Sequence, residues 1–157
     1  MNKTSRPGSL YRLIYCSRNA IGQGASPDTM QQEVRAILCA SRRNNELDNI
    51  TGALLFTTSG FAQVLEGPRD VVERTFERIS GDPRHADVTV LSFTPTERRS
   101  FPDWSMGCSG QMSAFTPDPL VPLLADTHSA GPRATTGSDV LHLLEKVVQR
   151  EDEWVPA

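Results

Sequence analysis

The apolar positions change period several times before residue 112, and each change marks an element. Residues 10 to 17, LYRLIYCS, are apolar and aromatic enough to predict a strand. The following run, with two glycines and a proline, breaks it. Ser26 then reads as an N-cap, with Pro27 at the first helical position and Asp28 in the first turn. Met30, Val34, Ile37, Leu38 and Ser41 recur at helical spacing, which predicts a helix over 27–43, closed by Asn44 and Asn45. ITGALLFTT and FAQVLEG read as two strands joined by a short hairpin at Ser59–Gly60. Pro68 opens a second helix whose inner stripe is Val71, Val72, Thr75, Phe76 and Ile79, and Gly81 with Pro83 ends it. DVTVLSF, from 87, is a fourth strand, and WSMGC, from 104, a short fifth.

The order β-α-β-β-α-β-(β) is the ferredoxin-like split pattern. It implies an α+β fold, with two helices on one face of a mixed sheet. Beyond residue 112 the chain turns rich in Pro, Ser, Thr and Gly, with room for one short helical turn near 119–125. A capped amphipathic helix over 138–152 follows, with Val140, Leu141, Leu144, Val147 and Val148 along one side. Such a stripe must be buried. The sheet face left open by the two core helices is the expected seat, with some contribution to a homodimer.

Composition narrows the function classes. A chain of 157 residues, 38% hydrophobic and 22% charged, suits one domain with a real core. The net charge of −3 argues against a dedicated nucleic-acid binder, although Arg42–Arg43 and Arg98–Arg99 would make a small basic patch. Three cysteines without a C-x-x-C argue for a reducing compartment rather than a disulfide framework. The start has no secretory signal and no run reaches membrane-spanning length, so a cytoplasmic location is expected.

No phosphate loop, dinucleotide fingerprint or nucleophile elbow is present. His85, His128 and His142 lack metal-ligand spacing with the cysteines. An acylphosphatase-like activity would rest on fold alone, and the first βα loop is not a compact phosphate cradle. What stands out is a set of polar and aromatic residues in apolar surroundings: Tyr15, Asn44, Asn45, Gln63, Trp104 and Met106. Each has a structural explanation: an edge-facing core tyrosine, a helix C-cap, an amide bonded to a neighbouring strand, a core tryptophan and methionine. Together they would line one cleft between the two helices and suit a planar polar ligand.

Six segments in order, LYRLIYCSR, SRRNN, ITGALLF, FAQVLEGP, RISGDPRH and RSFPDWSMG, resemble the BLUF domain, the blue-light sensor that uses FAD. The resemblance runs over roughly residues 10 to 108. It implies a flavin ring between the two helices, FAD in the first place and FMN as a substitute. Tyr15 would be the photochemical electron and proton donor, with Gln63 between it and the ring. Asn45 would hold the ring's carbonyl–imide edge, with Asn44 nearby and Ser41 behind them. Ile37 and Ile79 would pack on the ring faces. Arg78, Asp82, Arg84 and His85 would hold the pyrimidine side and the phosphate tail. Trp104 and Met106 match the strand that switches.

The resemblance further implies a non-enzymatic, stand-alone photoreceptor that signals to an unidentified downstream protein, as a homodimer or higher homo-oligomer. The expected partition is a flavin-binding sensor over 10–110, a linker over 111–137 and the C-terminal helix. Two rivals are an ordinary flavin-binding oxidoreductase, which needs a substrate cavity and a hydride path, and a light-independent interaction module.

Overall fold

The computed structural model describes residues 9–20, 29, 32–33, 36–37, 39–40, 43–44, 48–57, 60–83, 85–102, 107–111 and 136–150. Among the described residues there are five strands: β1 (Leu10–Asn19), β2 (Thr51–Thr57), β3 (Gly60–Pro68), β4 (His85–Thr96) and β5 (Gly107–Gln111). Two helices are bounded, α1 (Arg69–Ser80) and α2 (Gly137–Arg150). Every position described from 29 to 44 is helical too. The sheet order is β4-β1-β3-β2-β5. β1 pairs antiparallel with β3 and β4, β2 antiparallel with β3, and β5 adds to β2 in parallel. This is the ferredoxin-like α+β arrangement with a mixed sheet, as the element order predicts.

Period-two alternation divides the central strands between two cores. Leu13, Tyr15, Leu54, Phe56, Phe61, Leu65 and Val72 form one, with Ile37, Val71, Phe76 and Ile79 packed against it. Ile14, Cys16, Ala53, Leu55, Ala62, Val64, Phe101, Val140 and Leu144 form the other, on the reverse face. The C-terminal helix therefore docks on the sheet face that the core helices leave open. It is set there by its first residue, since a Cβ on Gly137 would lie 2.6 Å from Ser92 Cβ. Its first turn is closed by a reciprocal box, with Thr136 N donating to Asp139 Oδ2 at 2.9 Å and Asp139 N to Thr136 Oγ1 at 3.2 Å. The helix thus starts slightly ahead of the expected 138. Val147 and Val148 have side chains outside the described residues, as does the expected turn near 119–125.

α1 starts where proline allows it. Pro68, at φ −59°, needs no N–H partner, and Asp70 stands in the positive first turn. Gly52 meets a tighter demand, because a Cβ there would fall 1.9 Å from the Val64 carbonyl oxygen. The β2–β3 ladder closes only with glycine at that rung.

Three expectations are corrected. Asn44 is helical, and so is Asp48, so the first helix does not close at 43. The left-handed asparagine that follows is Asn49, at φ 60°. β4 begins at His85 and continues to Thr96, because Thr94, Pro95 and Thr96 pair in unbroken register with Arg12, Tyr11 and Leu10 of β1. β5 lies at 107–111, and residues 104–106 fall outside the described residues. The Arg99 guanidinium donates to Thr51 Oγ1, the Glu66 carbonyl and the Asn49 carbonyl at 2.8, 2.9 and 2.9 Å. Arg42 lies outside the described residues.

Candidate functional site

Tyr15 and Gln63 are partners across the β1–β3 ladder, so alternation sends both side chains to the helix-covered face. The Tyr15 hydroxyl donates to Gln63 Oε1, and both residues are buried. A buried carboxamide needs such a partner, which is what admits Gln63 between Phe61 and Leu65. The bond occupies the amide's carbonyl end, so its NH2 end is turned away from the phenol.

Tyr15 is packed as closely as it is bonded. Phe76 of α1 lies tilted at a centroid distance of 5.5 Å, and the His85 ring meets it edge-on at 6.0 Å. Burial holds the phenol protonated well beyond its ordinary range, with Cys16 and the Asp82 carboxylate adding in the same direction. Tyr15 is therefore a neutral O–H donor at any working pH. Its neighbour Cys16 faces the reverse core, where burial pushes the thiol up to about 12.

A cavity of about 200 Å³ opens over this pair, between the first helical segment and α1. Leu54 and Leu65 lie on its sheet side. Ile37 and Ala40 line it from one helical wall, Thr75 and Ile79 from the other. Asn44, Arg78, Asp82 and His85 supply its polar rim. The turn after α1 sets that rim, with Asp82 N bonded to the Ile79 carbonyl at 3.0 Å and His85 N to the Asp82 carbonyl at 3.1 Å. His85 is fixed from two sides: Ser17 Oγ lies 2.8 Å from its Nδ1, and the Phe61 ring lies tilted against it at a centroid distance of 4.5 Å.

Tyr15, Ile37, Asn44, Gln63, Arg78, Ile79, Asp82 and His85, all singled out in the sequence, thus converge on one cavity. Ser41, Asn45, Arg84, Trp104 and Met106 lie outside the described residues. Sequence reasoning missed Ser17, although it shares its strand face with Tyr15 two residues away. Chemically the cavity suits a flat heteroaromatic ring: isoleucines on opposing helical walls and donors and acceptors gathered at its edges. Among the described residues no cluster of metal-ligating side chains is present, and no helix is long and apolar enough to cross a membrane.

The sequence profile of the family described as sensors of blue light using FAD matches residues 10–107, more than half of the chain. The chain belongs to the BLUF family. Photoactivated adenylate cyclase subunit beta of Euglena gracilis is 36% identical over 94 residues, 59% of this chain and 11% of that protein. This chain therefore corresponds to little more than a tenth of that relative. The dark-state structure of BlrB, a BLUF protein, is 32% identical with a TM-score of 0.67, over 91% of this chain and 98% of that one. BlrP1 of Klebsiella pneumoniae, solved with FMN and cyclic diGMP, is 33% identical with a TM-score of 0.57, over 64% and 26% of the two chains. By that description, BLUF domains sense blue light using FAD.

Proposed function

We propose that this chain is a blue-light photoreceptor that holds FAD in the cavity and uses Tyr15 and Gln63 as its switch. The buried hydrogen bond between them at the cavity floor carries the proposal. A bound oxidised flavin supplies absorption of blue light and, once excited, a strong one-electron acceptor. Tyr15 suits the donor role because its phenol stays protonated and can release an electron and its hydroxyl proton together. Gln63 suits the relay because the two ends of a carboxamide exchange donor and acceptor without a change of volume. Rotation or tautomerisation of that amide changes the hydrogen bonds offered to the ligand edge and biases a structural element nearby.

Ile37 and Ile79 would grip the ring faces. Asn44, Arg78, Asp82 and His85 would hold its polar edge and tail, with Asn45, Arg84 and Ser41 contributing as the family resemblance implies. The same ring recognition admits FMN. Trp104 and Met106 are assigned to the segment that responds. We infer that residues 10–110 form the sensor and that the chain acts in the cytoplasm through contacts with a downstream protein and with its own copies, rather than as an enzyme.

The visible spectrum of the purified, FAD-reconstituted protein before and after blue light is the test. A bound oxidised flavin and a modest reversible red shift are expected. Tyr15→Phe and Gln63→Leu should each retain flavin and lose the normal shift. Absence of flavin after reconstitution would sink the proposal, and a normal photocycle in either variant would remove that residue from the switch.

A further inference from the structure

The ladder that carries Tyr15 and Gln63 carries a second side-chain pair three rungs along. Arg12 lies opposite Glu66 in the β1–β3 register, as Tyr15 lies opposite Gln63. Three rungs reverse the side-chain direction, so this pair faces away from the cavity. The Glu66 side chain is fully buried. Its Oε2 accepts from Arg12 Nε at 2.8 Å and from Ser100 N at 2.9 Å, and its Oε1 accepts from Phe101 N at 3.0 Å. Arg12 Nη2 reaches on to Ser100 Oγ at 2.8 Å and to the Arg98 carbonyl at 3.3 Å. The Arg99 guanidinium ties the same strand by donating to the Glu66 main-chain carbonyl at 2.9 Å.

The segment held here, 98–101, leaves β4 at one edge of the sheet on the way to β5 at the other. Phe101, delivered by this grip, is 2% exposed and sits in the reverse core with Val140 and Leu144 of α2. An apolar junction would avoid the desolvation cost of a buried carboxylate. A carboxylate with three directed donors instead permits one seating of the crossover, set by the position of β3 relative to β1.

We propose that Glu66 and Arg12 are positioning residues for signal output, which tie the seating of Phe101 beneath α2 to the ladder that carries the Tyr15–Gln63 switch. The inference rests on the photosensor reading above. The element it biases is the Phe101–α2 contact, seated in this structure and to be released or held by light. A light-driven change at the Gln63 rung shifts β3 against β1, the grip on 98–101 follows, and α2 is released or held.

The test compares the full-length, flavin-loaded protein with Glu66→Gln, Arg12→Met and Ser100→Ala. Ser100→Ala keeps the ion pair and removes one strut. Three readouts are taken: the size of the red shift, the rate of dark recovery, and amide hydrogen exchange of 98–111 and 137–150 in darkness and under blue light. All three variants should keep flavin and the full shift, since they stand on the opposite face. The light-minus-dark difference in exchange over α2 should vanish in Glu66→Gln and Arg12→Met and shrink in Ser100→Ala, with dark recovery altered severalfold. A purely structural role would raise exchange equally in both conditions and leave the difference at its wild-type size, which overturns the proposal. Should Glu66→Gln not fold, Ser100→Ala and Arg12→Lys decide by the same difference. A wild-type protein that shifts normally yet shows no light-dependent exchange in α2 overturns this inference alone. One that takes up no flavin removes the photosensor reading and this inference with it.

Discussion

Tyr15 and Cys16 are chain neighbours that look into opposite sides of one sheet, and burial acts on both in the same direction. Each keeps its proton in the folded protein at pH values where the unfolded chain releases it. Protons bound are then fewer in the unfolded state, so stability falls as pH rises. For Cys16 the window opens near the ordinary thiol value of 9.0 and extends to about 12. We expect urea midpoints that decline from about pH 9 upward, and a shallower decline in Cys16→Val, which keeps the packing and removes the acid. Identical slopes in the two proteins would show that the thiol does not couple to folding.

At this scale much of the cavity was legible, for a physical reason. An amide between Phe61 and Leu65, or a phenol late in an apolar strand, must meet a partner inside the protein, so each announces a polar site in the core. Glu66 obeys the same logic. It is an acid on a strand face otherwise held by Ala62 and Val64, with Arg12 and Arg18 both in the strand opposite, and only the register reveals that Arg12 is its partner. Ser17 was hidden because a small hydroxyl in a strand gives no such signal.

Elements read from the sequence in proportion to their periodicity. β1, β3 and α1 carry strong patterns and appear where alternation and helical spacing place them. Ends were less legible, because they are set by tertiary register. β4 outruns its apolar core because Leu10, Tyr11 and Arg12 of β1 carry the pairing on through Thr96, and the first helix is followed by a left-handed Asn49 that its apolar stripe does not mark. The docking of α2 followed from its amphipathic stripe together with a sheet that lacked a second cover.

That docking sets an expectation for the element as a whole. Leu144 is fully buried among Ile14, Ala53, Leu55 and Val64, so Leu144→Ala should cost about 2–5 kcal/mol of stability. The shift on illumination should survive, since the residue lies on the face away from the cavity. Ending the chain before Thr136 removes the cover altogether and exposes an apolar sheet face, which should drive self-association. Light scattering from the truncated protein in darkness and under blue light checks this. If it stays at the full-length protein's oligomeric state in both conditions, α2 neither shields the sheet nor serves output.

For the molecule as a whole, the sheet acts as a partition between a ligand-facing core and a helix-facing core. Its central strands tolerate no error in phase, because a slip of one residue would exchange the two sides. β4, paired on one side by β1, already absorbs two register shifts without disturbing the Tyr15 rung, and its Asp87 takes φ 52° within one of them. The consequence concerns how such a chain can change length over descent. A residue added to β4 between 86 and 92 has a bulge to enter and should leave a foldable, light-responsive protein. A residue added between Leu13 and Tyr15, or between Gln63 and Leu65, would put a switch residue among the reverse-face aliphatics and abolish the response. A one-residue insertion scan across the three strands, scored by retention of the reversible spectral shift, should map the drift-tolerant strand to the sheet's edge and the frozen ones to its centre.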